Sequence, residues 1–119
     1  ISESGISVPS GISVCQPLSY LKFIAAEASA AAVITDSGGV QEETSVLGVP
    51  CVTVRTSTER PITLELGTNV LCPEVSQLKE AVEAQMALRP EYPPEIPMWD
   101  GAAGGRIVSA IEEYIGGSR

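Results

Sequence analysis

Two glycines and two acids follow a short apolar run in Thr35-Asp36-Ser37-Gly38-Gly39-Val40-Gln41-Glu42-Glu43. The preceding Ala30-Ala31-Ala32-Val33-Ile34 has the apolar continuity of a buried parallel strand, so Ser37 to Gly39 fall where the chain leaves a sheet for a helix. Backbone N–H groups at a helix start point outward unpaired and carry a partial positive charge, which favours phosphate. Glycines let a phosphate approach the backbone closely, and the Ser37 hydroxyl adds a side-chain donor. A vicinal diol is held well by one carboxylate accepting two hydrogen bonds. Glu43 comes four residues after Gly39 and shares the helix face that carries the donors. The plainer alternative is that Asp36 or Ser37 only caps the helix while Glu42 and Glu43 complement its dipole.

A second polar cluster, Arg55-Thr56-Ser57-Thr58-Glu59-Arg60-Pro61, follows the apolar Cys51-Val52-Thr53-Val54 and so again sits at a strand exit. Ser57 or Thr58 suits the cap of a short helix, Pro61 its first turn, and Gly67 a stop before the next strand. Ligands of open α/β sheets bind outside the carboxyl ends of the strands, which puts Arg55 or Arg60 at the same crevice as Ser37 to Gly39. A guanidinium there supplies the fixed charge that a diphosphate needs. The competing reading is an internal ion pair between one arginine and Glu59 or Glu65, worth little energetically.

The elements that must position these groups alternate. Strands are expected at Ile12 to Cys15, Ala32 to Thr35, Cys51 to Val54 and Asn69 to Cys72; helices at Leu18 to Ser29, Val40 to Leu47, near Pro61 to Leu66, and at Val75 to Leu88. Alternation of this kind implies an α/β fold with a parallel sheet flanked by helices. Pro90 to Pro97 is expected to be an extended connector. Residues 102–115 show apolar spacing through Ile107, Val108, Ile111 and Ile115 and are expected to form a last helix, its first turn weakened by roughly 1 kcal/mol for each of Gly104 and Gly105.

With 119 residues, 44% of them hydrophobic, one domain is the expected count, with much of its surface left exposed. A net charge of −8 with seven basic residues leaves no basic stripe, which argues against nucleic-acid and anionic-membrane partners. It also makes binding of an anion depend on local donors. No apolar stretch approaches the roughly 18 residues of a membrane span and no signal-like segment is evident, so a cytoplasmic location is expected. Cys15, Cys51 and Cys72 are read as buried reduced thiols; their wide spacing and the lack of histidine speak against a metal site or a nucleophile. Gly5-Ile6-Ser7-Val8 recurs as Gly11-Ile12-Ser13-Val14, a tandem copy too short for a solenoid that is either chance or an edge hairpin, and residues 1–10 form a lead-in of uncertain structure. The chain begins at Ile1 without methionine, which leaves processing, truncation and deliberate excision open.

Taken together, the two polar motifs resemble the non-hydrolysing UDP-N-acetylglucosamine 2-epimerases, whose second domain carries D-S-G-G-x-Q-E-E and then R-x-x-T-E-R-P; both stand here intact. Further matches are Pro17-Leu18-Ser19-Tyr20-Leu21-Lys22-Phe23, Leu47-Gly48-Val49-Pro50, Glu65-Leu66-Gly67-Thr68-Asn69, Trp99-Asp100-Gly101 and Arg106-Ile107, so the likeness runs from about Val14 to the last helix. The resemblance implies the later part of the second, UDP-binding domain of a two-domain enzyme of the glycosyltransferase-B architecture, with a Rossmann-like sheet and an active site between domains. It assigns Ser37, Gly38 and Gly39 to the diphosphate, Glu43 to the ribose, Arg60 to phosphate, and Leu18 and Phe23 to the neighbourhood of the uracil, Leu18 through its backbone. The family's reaction eliminates UDP across C1 and C2 of the sugar and adds it back after the proton returns to the opposite face, giving UDP-N-acetylmannosamine without a redox cofactor.

In that family the carboxylates that handle the C2 proton belong to the first domain, and a histidine precedes the segment seen here. This sequence holds neither, so no catalytic residue is expected in it and the chain alone is expected to be inactive. The expected partners are UDP or a UDP-N-acetylhexosamine, the first domain of the same enzyme, and, for Trp99 and the last helix, either solvent or a second copy in a homodimer. Two other readings compete: the nucleotide-binding half of a glycosyltransferase of the same architecture, against which Thr58-Glu59-Arg60-Pro61 speaks, and a non-catalytic nucleotide-binding module.

Overall fold

The computed structural model describes residues 7–117. The elements run α1 (Tyr20–Ser29), β1 (Val33–Thr35), α2 (Gly38–Leu47), β2 (Cys51–Thr53), α3 (Ile62–Glu65), β3 (Asn69–Leu71), a 3-10 turn (Val75–Gln77), α4 (Leu78–Ala87) and α5 (Ala103–Gly116). The strands form a parallel sheet in the order β1-β2-β3, with Val33 opposite Cys51 and Cys51 opposite Asn69. The expected α/β class with a parallel sheet and flanking helices therefore holds.

The middle strand β2 is wholly buried, and Val49, Cys51 and Val52 at its entry and centre form the driest part of the core. The ladder extends past the strand ends through Val54 N–H to the Thr35 carbonyl at 2.8 Å and Cys72 N–H to the Thr53 carbonyl at 2.8 Å. All strand exits consequently point the same way, and the loops after β1 and β2 share one edge of the fold.

Helix α2 begins with Ser37 in extended conformation (φ −93°, ψ 130°) and ends on Gly48 in the left-handed region (φ 67°), where a β-carbon would come within 3.0 Å of Pro93 Cα. Its buried face is polar: Gln41, Thr44 and Ser45 are fully covered. The hydroxyls of Thr44 and Ser45 are satisfied within the helix, donating to the Val40 carbonyl at 2.8 Å and the Gln41 carbonyl at 2.8 Å. Small side chains here let the neighbouring backbone come close. A β-carbon on Gly67 would lie 2.6 Å from the Thr63 carbonyl oxygen and press on Ser45 Oγ, so Gly67 is required by contact as well as by its place after α3.

Several expectations are corrected. Ile12 to Cys15 is not a strand: residues 7–19 are exposed, the local backbone bond is a turn from Ile12 N–H to the Pro9 carbonyl, and no ladder partner meets this segment among the described residues. An apolar run without a neighbouring strand has nothing to hold its peptide groups. Cys15, expected to be buried, is exposed for the same reason, whereas Cys51 and Cys72 are buried as expected. Helix α1 starts at Tyr20 rather than Leu18, and the expected helix from Val75 to Leu88 divides into the 3-10 turn and α4. Gly38 and Gly39 belong to the first turn of α2, so that helix starts before Val40. Of the lead-in, residues 1–6, with Gly5 and Ile6 of the repeat, lie outside the described residues.

The proline-rich connector carries no helix and packs back on the fold, burying Ile96 and bringing Pro93 against Gly48. Beyond it, α5 is exposed throughout apart from half-buried Arg106. Arg106 ties the helix start to the connector, donating to both Asp100 carboxylate oxygens at 2.9 Å and to the Met98 carbonyl at 2.9 Å. Ile107, Val108, Ile111 and Ile115 thus remain an uncovered apolar stripe on the described fold. No helix among the described residues is long and apolar enough to cross a membrane.

Candidate functional site

The edge onto which β1 and β2 open gathers the two polar motifs. Ser37 N–H is turned back on Thr35 Oγ1 at 3.0 Å, and the Ser37 hydroxyl makes no capping bond to its own helix. The first N–H groups of α2 are therefore left uncapped by the Ser37 side chain, whose hydroxyl lies beside them without a partner among the described residues. A β-carbon on Gly39 would meet nothing nearer than Ser37 Oγ at 4.0 Å, so space is open around the helix start.

Arg60 stands across this opening. Its Cγ would lie 3.8 Å from a β-carbon on Gly38, and its Nε pairs with Glu42 Oε1 at 2.9 Å with both side chains half-exposed. Its Nη1 donates to the Glu59 carbonyl at 3.4 Å. Arg55 does not share this position. It is clamped by Glu59 in two bonds of 2.9 and 3.1 Å, and the arginine beside Glu59 holds its exposed carboxyl below the usual carboxylate range, as the ion-pair alternative for this segment predicts.

A buried polar relay holds Arg60 in place. Thr53 Oγ1 donates to Asn69 Oδ1 at 2.6 Å, Asn69 Nδ2 donates to Thr63 Oγ1 at 3.2 Å, and Thr63 Oγ1 donates to the Arg60 carbonyl at 2.7 Å. Thr58 adds a second hold: its hydroxyl accepts the Arg60 N–H at 3.0 Å and donates to the fully buried Gln41 Oε1 at 2.6 Å. Gln41 and Asn69 were present in the quoted motifs but carried no role in the sequence reading, because their partners come from other elements. A buried amide inside a polar motif is the signal that could have marked them.

Further along α2, Glu42, Glu43, Val46 and Leu47 face Tyr20 and Ile24 of α1 and Trp99 across a cavity of about 440 Å³. A second hollow of about 490 Å³ lies between Val46, the proline-rich connector and Trp99, away from the two motifs. Glu43 thus lies on the same helix as the Ser37 opening and at the wall of an apolar cavity. Leu18 precedes α1 and Phe23 lies in its first turn, both exposed, and neither lines the cavity, which is met instead by the adjacent Tyr20 and Ile24. The structure therefore brings Ser37, Gly38, Gly39, Arg60 and Glu42 to one opening and Glu43 beside it, with Leu18 and Phe23 on the facing helix approach.

This arrangement offers backbone donors, one hydroxyl and one arginine to an anion, and a carboxylate with apolar walls to an attached hydroxylated group. Comparison with known proteins narrows it. A family model described as UDP-N-acetylglucosamine 2-epimerase matches residues 2–112. The UDP-N-acetylglucosamine 2-epimerase of Methanocaldococcus jannaschii is 42% identical over 101 residues, covering 84% of this chain and 27% of that protein. That of Methanococcus maripaludis is 39% identical over 101 residues, with the same coverage of 84% and 27%. The crystal structure of the M. jannaschii enzyme in complex with UDP-GlcNAc and UDP superposes with a TM-score of 0.70 at 41% identity, over 82% of this chain and 26% of that one. The chain spans about a quarter of the length of the curated relatives it matches, 27% for both archaeal enzymes. A match over residues 2–112 together with these identities establishes that the chain belongs to the UDP-N-acetylglucosamine 2-epimerase family.

Proposed function

We propose that this chain is the UDP-binding portion of a UDP-N-acetylglucosamine 2-epimerase, the enzyme that interconverts UDP-N-acetylglucosamine and UDP-N-acetylmannosamine. The observation that carries the reading is the uncapped start of α2, with Ser37 Oγ free and Arg60 standing over Gly38. The diphosphate lies against the Ser37, Gly38 and Gly39 donors with Arg60 as its counter-charge, and Glu43 accepts the ribose hydroxyls. Leu18 and Phe23 border the uracil. Elimination across C1 and C2 expels UDP, so donors that hold the departing diphosphate lower the barrier by stabilising charge that develops on it.

Removal of the C2 proton needs a positioned base, which this reading assigns to the first domain of the parent enzyme. The apolar stripe of α5 supports the same division, since it is a surface for that domain, with a second copy of the chain as the alternative cover. Titration calorimetry of the 119-residue chain with UDP is the test: weak binding, lost on Ser37→Ala, is expected, and absence of heat and of chemical-shift change at millimolar UDP refutes a preformed site. Incubation with UDP-N-acetylglucosamine in deuterium oxide should leave C2 unlabelled. Sustained labelling abolished by Glu43→Gln would place a catalytic base in this chain and overturn the division.

A further inference from the structure

Helix α1 buries an acid. Glu27 is 3% exposed, and neither carboxylate oxygen meets a hydrogen-bond donor among the described residues. Burying an ionised carboxylate without donors costs far more than any local contact returns, so the group must find a proton or a partner. The groups facing it are Glu43 of α2, within hydrogen-bonding reach, and the buried thiol of Cys51 on β2. Neither carries positive charge. Lys22 of the same helix is exposed, and Arg89, which reaches the end of α1, spends its Nη1 on the Ala30 carbonyl at 2.9 Å. A buried carboxyl beside a second carboxyl holds its proton more tightly than an exposed one, and the held proton turns Glu27 from an acceptor into a donor.

We propose that Glu27 is a positioning residue for Glu43: its protonated carboxyl donates a hydrogen bond to the Glu43 carboxylate from the dry side, and so fixes how Glu43 presents its free oxygens to a vicinal diol. This rests on the reading of Glu43 as the group that accepts the ribose hydroxyls. The direction of the Glu27 titration agrees, since burial first and Glu43 second push its carboxyl above the usual 4.5. The donor is therefore present at low pH and is lost as pH rises through the raised value. Glu43, freed of its partner and facing a second negative charge, then swings toward solvent and loses its aim. The device makes diol recognition, and not phosphate recognition, weaken with rising pH.

The test uses two readouts on the full 119-residue chain. Carbon-13 NMR of the side-chain carboxyls in ligand-free protein should show Glu27 titrating above an ordinary glutamate, and falling back toward it in Glu43→Gln, where its like-charged neighbour is gone. The ratio of affinities for UDP and 2′-deoxy-UDP, which cancels the diphosphate's own titration, should fall by roughly five- to tenfold across the Glu27 titration. Glu27→Gln, whose amide donates at every pH, should keep the ratio high and flat. Glu27→Leu, which fills the same space without a donor, should leave it low and flat while the chain stays folded. Two results overturn the proposal with UDP binding intact: a Glu27 that titrates normally, or a wild-type ratio that does not change with pH. Absence of UDP binding in wild type, with the Glu27 titration still raised, instead refutes the nucleotide site and with it the diol role.

Discussion

Gly39→Ala separates the fold from the site, because the two respond in opposite directions. Gly39 is the second residue of α2 and does not lie among the glycines with positive φ, so an alanine takes its backbone conformation without strain. Outside its chain neighbours and the backbone of its own helix, the added methyl meets nothing nearer than Ser37 Oγ at 4.0 Å. Replacing glycine by alanine in a helix stabilises by roughly 0.5–1 kcal/mol, and a first-turn position lies at the lower end of that range. For a chain of this size the melting temperature should rise by about 2–4 °C. The same methyl occupies the space beside the Ser37 hydroxyl, where a phosphate oxygen has to sit to reach both that hydroxyl and the helix N–H groups. UDP affinity should fall at least tenfold, about 1.4 kcal/mol. Thermal melting and calorimetry on one preparation measure both quantities. A higher melting temperature with unchanged UDP affinity would refute the phosphate cradle; a lower one would refute the helical placement of Gly39.

Arg60→Ala should weaken UDP binding by about tenfold while changing stability by less than about 1 kcal/mol, because its ion pair with Glu42 is half-exposed and solvent screens it. Denaturant melts alongside calorimetry check both numbers, and a large loss of stability would mean that the arginine is structural. Gly67→Ala should do the reverse of Gly39→Ala, destabilising by roughly 1–3 kcal/mol, since a β-carbon would sit 2.6 Å from the Thr63 carbonyl oxygen; a urea midpoint unchanged from wild type would contradict that contact. A thiol reagent should modify Cys15 rapidly and leave Cys51 and Cys72 untouched in the folded chain, with burial raising the Cys51 thiol further above reactivity. Mass spectrometry of labelled peptides reads this directly, and equal labelling of all three without denaturant would mean that the core around β2 is open.

Chain-local features were legible in the sequence. The apolar runs around Val33, Cys51 and Val70 mark the strands, though only β2 is buried throughout and Ile34 of β1, expected to be buried, stands exposed; Gly48 marks the end of α2 because its left-handed cap suits glycine. The donors at Ser37 to Gly39 are local in the same sense: a helix start is a property of consecutive residues. The strand expected at Ile12 to Cys15 failed because strands exist only in pairs, and apolar composition says nothing of whether a neighbour is there. What lay beyond sequence reasoning is the set of contacts that joins elements far apart in the chain. Glu27 looks like an ordinary surface acid within a helical pattern, yet the fold buries it and sets Glu43 near enough to act on it. Thr53, Asn69 and Thr63 look like weak strand and helix residues until three elements meet and make them the hold on Arg60.

A physical asymmetry within the site follows. The backbone and hydroxyl donors that attract an anion at Ser37 to Gly39 are supplied by contiguous sequence and survive any packing that preserves the start of α2. The groups behind the two charged side chains are buried, polar and non-local: a threonine–asparagine relay behind Arg60 and, as proposed, the buried Glu27 behind Glu43. Each is costly to leave half-made, since a buried polar atom without its partner loses about 1–3 kcal/mol. Substitutions at Ser37, Gly38 or Gly39 should therefore lower affinity, whereas substitutions at Glu27, Thr53 or Asn69 should change which orientation of ligand is accepted before they abolish binding. In this site, attraction is written along the chain and aim is written across it.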